Sequence, residues 1–215
     1  MGEAAMRVLY VDDDAGIARL VQKAFQRRGY AVEHVASGAE ALARLDRRMA
    51  DRYVALRRAL PTAARAALVR DQGFFLGARD QAADDSLADG FPADLAGRMR
   101  QRISFLDRLQ PAPSSLAGHW SNAFGNVEVR ETGGGRISVE IVAAHPVAGR
   151  WTCDVSGTGR LSDDVVTISA EDGWRLRLKL RPGYVEVEEI EPADSSERPY
   201  CGLNGLVGGT YFRTG

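Results

Sequence analysis

Residues 127–141 read VEVRETGGGRISVEI and decide the fold class of the C-terminal half of the chain. Apolar and polar residues alternate at Val127–Val129 and again at Ile137–Ile141, which is the period of a strand with one buried face. Three consecutive glycines, 133–135, stand between the two runs and supply a turn. The stretch therefore predicts two neighbouring antiparallel strands.

The same alternation continues towards the C-terminus. Further alternating runs between turn residues are 151–155, 165–168, 174–180, 185–188 and 211–212. Seven or eight short antiparallel strands of this kind favour a small β-barrel or sandwich over residues 113–215.

The middle of the chain, residues 46–112, has the period of helices. Apolar residues recur at spacings of three, four and seven in stretches that begin near Leu42, Leu68 and Leu95, and Pro61 ends the first of them. We predict a helical hairpin or a three-helix segment, in which the Asp-rich stretch from Ala82 to Gly90 forms an acidic loop.

Residues 1–45 indicate a β-α-β-α order. Arg7–Val11 and Tyr30–Val35 have the composition of strands, and a helical apolar pattern lies between them. Ser37 stands at the start of the next helix, with Glu40 at the capping-box position. The complete prediction is an α+β chain in three segments, 1–45, 46–112 and 113–215.

Composition excludes several classes of protein. The 215 residues are 45% hydrophobic and 27% charged, with a net charge of −1, which excludes a disordered chain and gives no global attraction to nucleic acid or anionic lipid. No apolar run approaches the roughly 18 residues that cross a bilayer, so membrane insertion is not expected. Three aspartates interrupt the only apolar run near the N-terminus, which predicts a cytoplasmic start for the chain as written.

The N-terminal segment resembles the opening of a response-regulator receiver domain, through MRVLYVDDD at 6–14 and ASGAEAL at 36–42. The resemblance implies that Asp12 and Asp13 help bind Mg²⁺ beside a phosphoacceptor aspartate. Residues 53–58, YVALRR, contain no such aspartate, and neither lysine of the chain lies at the family's lysine position. We therefore predict no phosphoacceptor and at most a weak Mg²⁺ site, with a solvated helix start as the alternative role of the carboxylates.

Residues 42–109 resemble the helical domain of LprI-type lysozyme inhibitors, through LARLDRRMADRY at 42–53 and spaced polar positions further on. That family is extracytoplasmic and some members inhibit lysozyme. The resemblance implies periplasmic ancestry and a noncatalytic binding protein with lysozyme as its protein partner. The cysteines that the family usually carries in its helical domain are absent here.

Two cysteines, Cys153 and Cys201, lie 48 positions apart, which is compatible with two free thiols or with one bridge. Their surroundings, GRWTC at 149–153 and YCGLNG at 200–205, look like the β domain that follows the helical module in some bacterial proteins. That resemblance implies a disulfide in an oxidising compartment.

We find no catalytic motif in the sequence. His34, His119 and His145 have no nucleophile motif around them, and Gly157-Thr-Gly159 lacks the strand-to-helix setting of a phosphate loop. The acidic run 186–191 is interpreted as exposed strand charge. The leading expectation is an envelope-type lysozyme inhibitor that is not an enzyme, and the alternative is a cytoplasmic two-component regulator with a degenerate receiver.

Overall fold

The computed structural model describes residues 6–89, 94–147, 149–192 and 197–215. Within these ranges the chain is mixed α+β, with four α-helices followed by a closed barrel of eight antiparallel strands. In chain order the elements are β1 (Arg7–Val11), α1 (Ala15–Gln26), β2 (Ala31–Val35), α2 (Gly38–Ala59), α3 (Thr62–Asp89), α4 (Leu95–Arg108), β3 (Gly118–Ser121), β4 (Gly125–Gly133), β5 (Arg136–Ala144), β6 (Thr152–Ser162), β7 (Val165–Ser169), β8 (Arg175–Arg181), β9 (Tyr184–Ile190) and β10 (Gly209–Arg213).

Strands β1 and β2 pair in parallel and form a two-stranded sheet of their own. Asp14 caps α1, because its side chain accepts hydrogen bonds from the N–H groups of Gly16 and Ile17. Ser37 caps α2 by accepting from the N–H of Glu40 at 3.2 Å. A single helix, α2, continues through residue 45, where the first predicted segment ends.

Helices α2, α3 and α4 pack around an apolar core whose most buried members include Leu56, Leu60, Leu68 and Leu106. The prediction of an acidic loop from Ala82 to Gly90 was wrong, because α3 continues as far as Asp89; Gly90 lies outside the described residues. Ala82 is buried, and the alanine and leucine content of this stretch favours a helix in spite of its aspartates.

The barrel closes in the order β10-β3-β4-β5-β6-β7-β8-β9. The prediction of a small antiparallel barrel is confirmed, and the sandwich alternative is excluded. The two runs that predicted neighbouring strands pair as β4 and β5, with Val127 opposite Ile141 and Val129 opposite Val139. Trp120 and Trp174 are buried among the apolar side chains that fill the barrel.

Gly157 and Gly159 of β6 lie where β7 approaches closely. A Cβ atom at Gly159 would stand 2.4 Å from the carbonyl oxygen of Thr167, and one at Gly157 would stand 2.9 Å from that of Ser169. The two glycines therefore serve strand packing, which explains this Gly-Thr-Gly motif without a phosphate loop.

Strand β10 belongs to two cores at once, because successive side chains of a strand point to opposite faces. Tyr211 is buried inside the barrel, whereas Phe212 is buried in the core of the helices. The carbonyl of Arg213 accepts a hydrogen bond of 2.9 Å from the N–H of Gln110, just after α4. No helix in the described ranges is both long and apolar enough to span a bilayer.

Candidate functional site

A cleft of about 490 Å³ lies between the helices and the barrel. Helices α3 and α4 form one wall, and the β3–β4 turn with the end of β5 forms the other. Its charged lining residues are Arg79, Arg98, Arg102 and Arg108, accompanied by His145. None of the residues that line it is an aspartate or a glutamate, although the whole chain has a net charge of −1.

Arg102 stands at the back of this cleft on the buried face of α4. It follows Met99 by three residues and precedes Leu106 by four, and both of these side chains are buried. Because residues at such spacings share one face of a helix, the sequence of α4 places Arg102 inside the protein, where it is 3% exposed.

The Arg102 guanidinium is held by polar groups of α3. Its Nη1 lies 2.7 Å from Oδ2 of Asp71, and its Nε donates a hydrogen bond of 2.9 Å to Oε1 of Gln72. The second oxygen of Asp71 accepts a hydrogen bond of 2.8 Å from the N–H of Ala123, in the β3–β4 turn. Asp71 and Gln72 are also buried. The arrangement joins both helices to the barrel.

Two phenylalanine rings flank the same guanidinium. Cζ of Arg102 lies 4.5 Å from the ring centroid of Phe105 and 5.2 Å from that of Phe75, within the range of cation–π attraction. Neither Nη1 nor Nη2 has a hydrogen-bond acceptor among the described residues, although both atoms are buried. A buried donor without an acceptor is uncommon in a folded protein.

The other arginines of the cleft differ in how they are compensated. Arg79 pairs with the carboxylates of Asp46 at 3.1 Å and Asp80 at 2.8 Å. Arg98 donates to the carbonyls of Pro146 and Val147, which ties α4 to the chain after β5. Among the described residues, Arg108 donates only to the carbonyl of Ser104 on its own helix. Within the described chain, Arg98 and Arg108 have no carboxylate partner.

Aromatic side chains continue from the cleft to the surface. Phe124 lines the cleft, and the rings of Phe74, Trp151 and Tyr211 lie 5.5, 6.5 and 6.1 Å from it, each edge-on. Phe74 is 47% exposed, so this aromatic cluster reaches solvent beside the cleft.

The predicted acidic pair lies elsewhere, after β1. The carboxylate of Asp12 accepts hydrogen bonds from the Tyr10 hydroxyl at 2.6 Å and from the N–H of Asp14 at 2.9 Å. These two bonds, the first above all, hold the pKa of Asp12 below its ordinary value. Asp13 is exposed. In the described part of the chain, no three His, Cys, Asp or Glu side chains are grouped so as to hold a metal ion, and the Mg²⁺ site stays a prediction.

The three histidines lie in three separate places. A ring nitrogen of His34 lies 2.7 Å from the carbonyl oxygen of Asp12, and Nε2 of His119 lies 3.6 Å from a carboxylate oxygen of Glu128. His145 packs edge-on against Trp151. The structure therefore does not bring these side chains together.

Cys153 and Cys201 are joined by a disulfide. The bridge lies between β6 and the segment Tyr200–Gly202, which runs beside the first residues of that strand. The N–H of Asp154 donates to the carbonyl of Tyr200 at 2.9 Å, and the N–H of Gly202 donates to the carbonyl of Thr152 at 2.8 Å. This segment covers backbone groups of β6 that β7 does not reach, since β7 pairs only with Leu161 and Ser162.

The interpretation of the acidic run 186–191 as exposed strand charge was wrong for Glu189. Its side chain is only 10% exposed and accepts from Nε of Arg198 at 2.9 Å, from the Tyr200 hydroxyl at 3.0 Å and from the N–H of Gly208 at 3.2 Å. Val185 and Val187 of the same strand point inward, and the two-residue period of a strand places Glu189 with them.

Sequence reasoning missed the cleft and its buried ion pair. The available signal was Arg102, a charged residue that interrupts the apolar stripe of α4. Comparison with known proteins adds no site residues: no protein-family model matches the chain, and no curated protein or solved structure matches it either.

Proposed function

We propose that this chain is a noncatalytic binding protein of the bacterial envelope type, with lysozyme as its partner. The observation that carries the proposal is the Cys153–Cys201 disulfide. Disulfides persist in oxidising compartments and are rare in the cytosol. The bridge therefore favours an exported binding protein over a cytoplasmic regulator.

The loop after the bridge supports contact with a protein partner. Leu203 is 86% exposed at its tip, and Leu206 is 40% exposed. Both ends of the loop are fixed, because Cys201 is bridged and Val207 is fully buried. A fixed loop that presents leucines loses little conformational entropy when a partner covers it.

Charge gives a second means of attraction to lysozymes, which are usually basic. The carboxylates of Glu186 and Glu188 on the barrel pair with neighbouring arginines. Asp84 and Asp85 of α3, by contrast, have no ion-pair partner among the described residues. We expect these two aspartates to raise the association rate with a basic enzyme at low salt.

A lysis assay tests the proposal. Purified oxidised protein is added in large molar excess to lysozyme acting on bacterial cell walls at low salt, and the rate of clearing is measured. The double variant Asp84→Asn/Asp85→Asn is compared with Asp163→Asn/Asp164→Asn, which removes equal charge from a turn where asparagine tolerates the positive φ of 49° and 61°.

We expect the protein to slow lysis, the α3 variant to slow it less and the turn variant to act like the parent. Undiminished lysis with the parent protein would contradict the choice of lysozyme. Equal inhibition by both variants would contradict the role of the α3 aspartates and leave the partner intact.

The alternative is a cytoplasmic regulator whose N-terminal segment is an incomplete receiver. Support comes from the parallel pairing of β1 with β2, with Asp12 and Asp13 directly after β1. The bonds that already occupy Asp12 support a structural role instead. Labelling by a small phosphodonor that is lost in Asp13→Ala would favour the regulator and overturn the envelope assignment.

A further inference from the structure

The cleft between helices and barrel concentrates positive charge in a nearly neutral protein. Four arginines line it and no carboxylate does. Asp71, Asp46 and Asp80 compensate Arg102 and Arg79 from behind the lining, so the uncompensated charge is that of Arg98 and Arg108. Clefts with one sign of charge and apolar walls focus the electrostatic field and raise the local concentration of opposite charge.

The ion pair at the back of the cleft leaves both terminal nitrogens of Arg102 without a hydrogen-bond acceptor among the described residues. Gln72 accepts a hydrogen bond from Nε of Arg102, whereas Nη1 makes a charge contact of 2.7 Å with Oδ2 of Asp71 that lacks hydrogen-bond geometry. Nη2 is buried and lacks an acceptor among the residues that the structure describes. Arginine forks suit carboxylate and phosphate groups, and the exposed guanidinium of Arg108 is the charge that an oxyanion entering the cleft can reach.

The walls of the cleft indicate what the anion is attached to. Phe75, Phe105 and Phe124 contribute apolar surface, and Asn122 and Asn126 contribute amides. The volume of about 490 Å³ falls within the range of small-molecule sites. We propose that the cleft binds a small organic oxyanion, a carboxylate or phosphate carried on an aromatic or similarly flat apolar group. The proposal is independent of the partner protein.

Calorimetric titration of the full oxidised chain tests this site with four probes. Phenyl phosphate and benzoate carry both the anion and the ring, inorganic phosphate carries the anion alone, and benzyl alcohol carries the ring alone. The informative variant is Arg108→Gln, because this side chain lines the cleft and its one hydrogen bond among the described residues is to the Ser104 carbonyl of its own helix. The matched control is Arg100→Gln, an exposed arginine of the same helix that does not line it.

We expect phenyl phosphate or benzoate to bind more tightly than inorganic phosphate and benzyl alcohol, and to bind more weakly at high salt. Arg108→Gln should weaken binding by about threefold or more, as for the loss of one partly exposed charge, whereas Arg100→Gln should leave it unchanged. The comparison of phenyl phosphate with benzoate distinguishes the two sources of the oxyanion.

Three results would overturn the site: no binding of either aromatic anion, equal binding of benzyl alcohol, or equal weakening by the two variants. Thermal melting of both variants checks that they fold. Because no probe involves lysozyme, failure of this site leaves the proposed function untouched, and loss of lysozyme inhibition leaves the site untouched.

Discussion

Asp71 on α3 and Arg102 on α4 form a buried ion pair, with 2.7 Å between Oδ2 and Nη1, while the other oxygen of Asp71 accepts from the barrel backbone at Ala123. One carboxylate therefore fixes two helices and the β3–β4 turn relative to each other. The walls of the cleft keep their spacing because of this contact.

Replacing Asp71 should destabilise the protein strongly. Asp71→Ala leaves the Arg102 charge buried without compensation and the Ala123 N–H without an acceptor, and we expect a loss of about 3–5 kcal/mol in the free energy of unfolding. Urea denaturation measures it. Asp46→Ala breaks the surface pair with Arg79 and should cost less than about 1 kcal/mol. Equal, small losses in both variants would contradict the assigned role of Asp71.

Reduction of the disulfide should destabilise the barrel. The bridge joins residues 48 positions apart, for which chain entropy gives about 4 kcal/mol. We expect urea unfolding of the parent to shift by this amount when reductant is added. The double variant Cys153→Ala/Cys201→Ala should match the reduced parent and should not respond to reductant. A urea unfolding curve of the parent that does not change when reductant is added would contradict the prediction.

Two glycine substitutions should have opposite effects on the free energy of unfolding, because a new Cβ would be crowded by β7 at Gly159 and has open space at Gly77. Gly159→Ala places a Cβ 2.4 Å from the Thr167 carbonyl and should cost about 1–3 kcal/mol, as overpacking does. Gly77→Ala, in an exposed part of α3 with no atom within 4 Å of the new Cβ, should stabilise by about 0.5–1 kcal/mol. Thermal denaturation compares the two. A stabilising Gly159→Ala would contradict the packing of β6 against β7.

The raised pKa of Tyr200 leads us to expect a loss of stability at alkaline pH. Burial, reinforced by the Glu189 carboxylate, raises the pKa of Tyr200 above its ordinary value of 10.0. A raised pKa in the folded state means that the stabilisation is present below pH 10.0 and is lost as the pH rises above it. We expect unfolding free energies measured above about pH 10 to fall less steeply in Tyr200→Phe than in the parent. If the unfolding free energies of the parent and of Tyr200→Phe fell in parallel with rising pH, Tyr200 would not contribute to the alkaline loss of stability.

The antiparallel strands of the barrel could be predicted from the sequence because strand pairing leaves a local signal. Each strand has one face on the core, so alternation at 127–129 and 137–141 reveals both strands and their shared turn. The choice between a closed barrel and a sandwich could not be made from the sequence, because closure depends on the pairing of β10 with β3, which lies far from it in the chain, as well as with β9.

The cleft could not be predicted because its parts come from distant segments. Asp71 and Arg102 are 31 positions apart, and only the packing of α3 on α4 brings them together. The lone charge on the apolar stripe of α4 indicates that Arg102 is buried, but it does not identify the partner. Glu189 is different, since strand parity alone indicates that it points inward.

Tyr211 and Phe212 are adjacent in β10 and fill different cores. Removing β10 would therefore open the barrel and take a buried ring out of the helical core in the same event. We expect the helices and the barrel to melt in one cooperative transition, and a fragment cut at the junction near residue 112 to lack part of its own interior. The junction is thus a boundary in composition, while the thermodynamic unit extends across it.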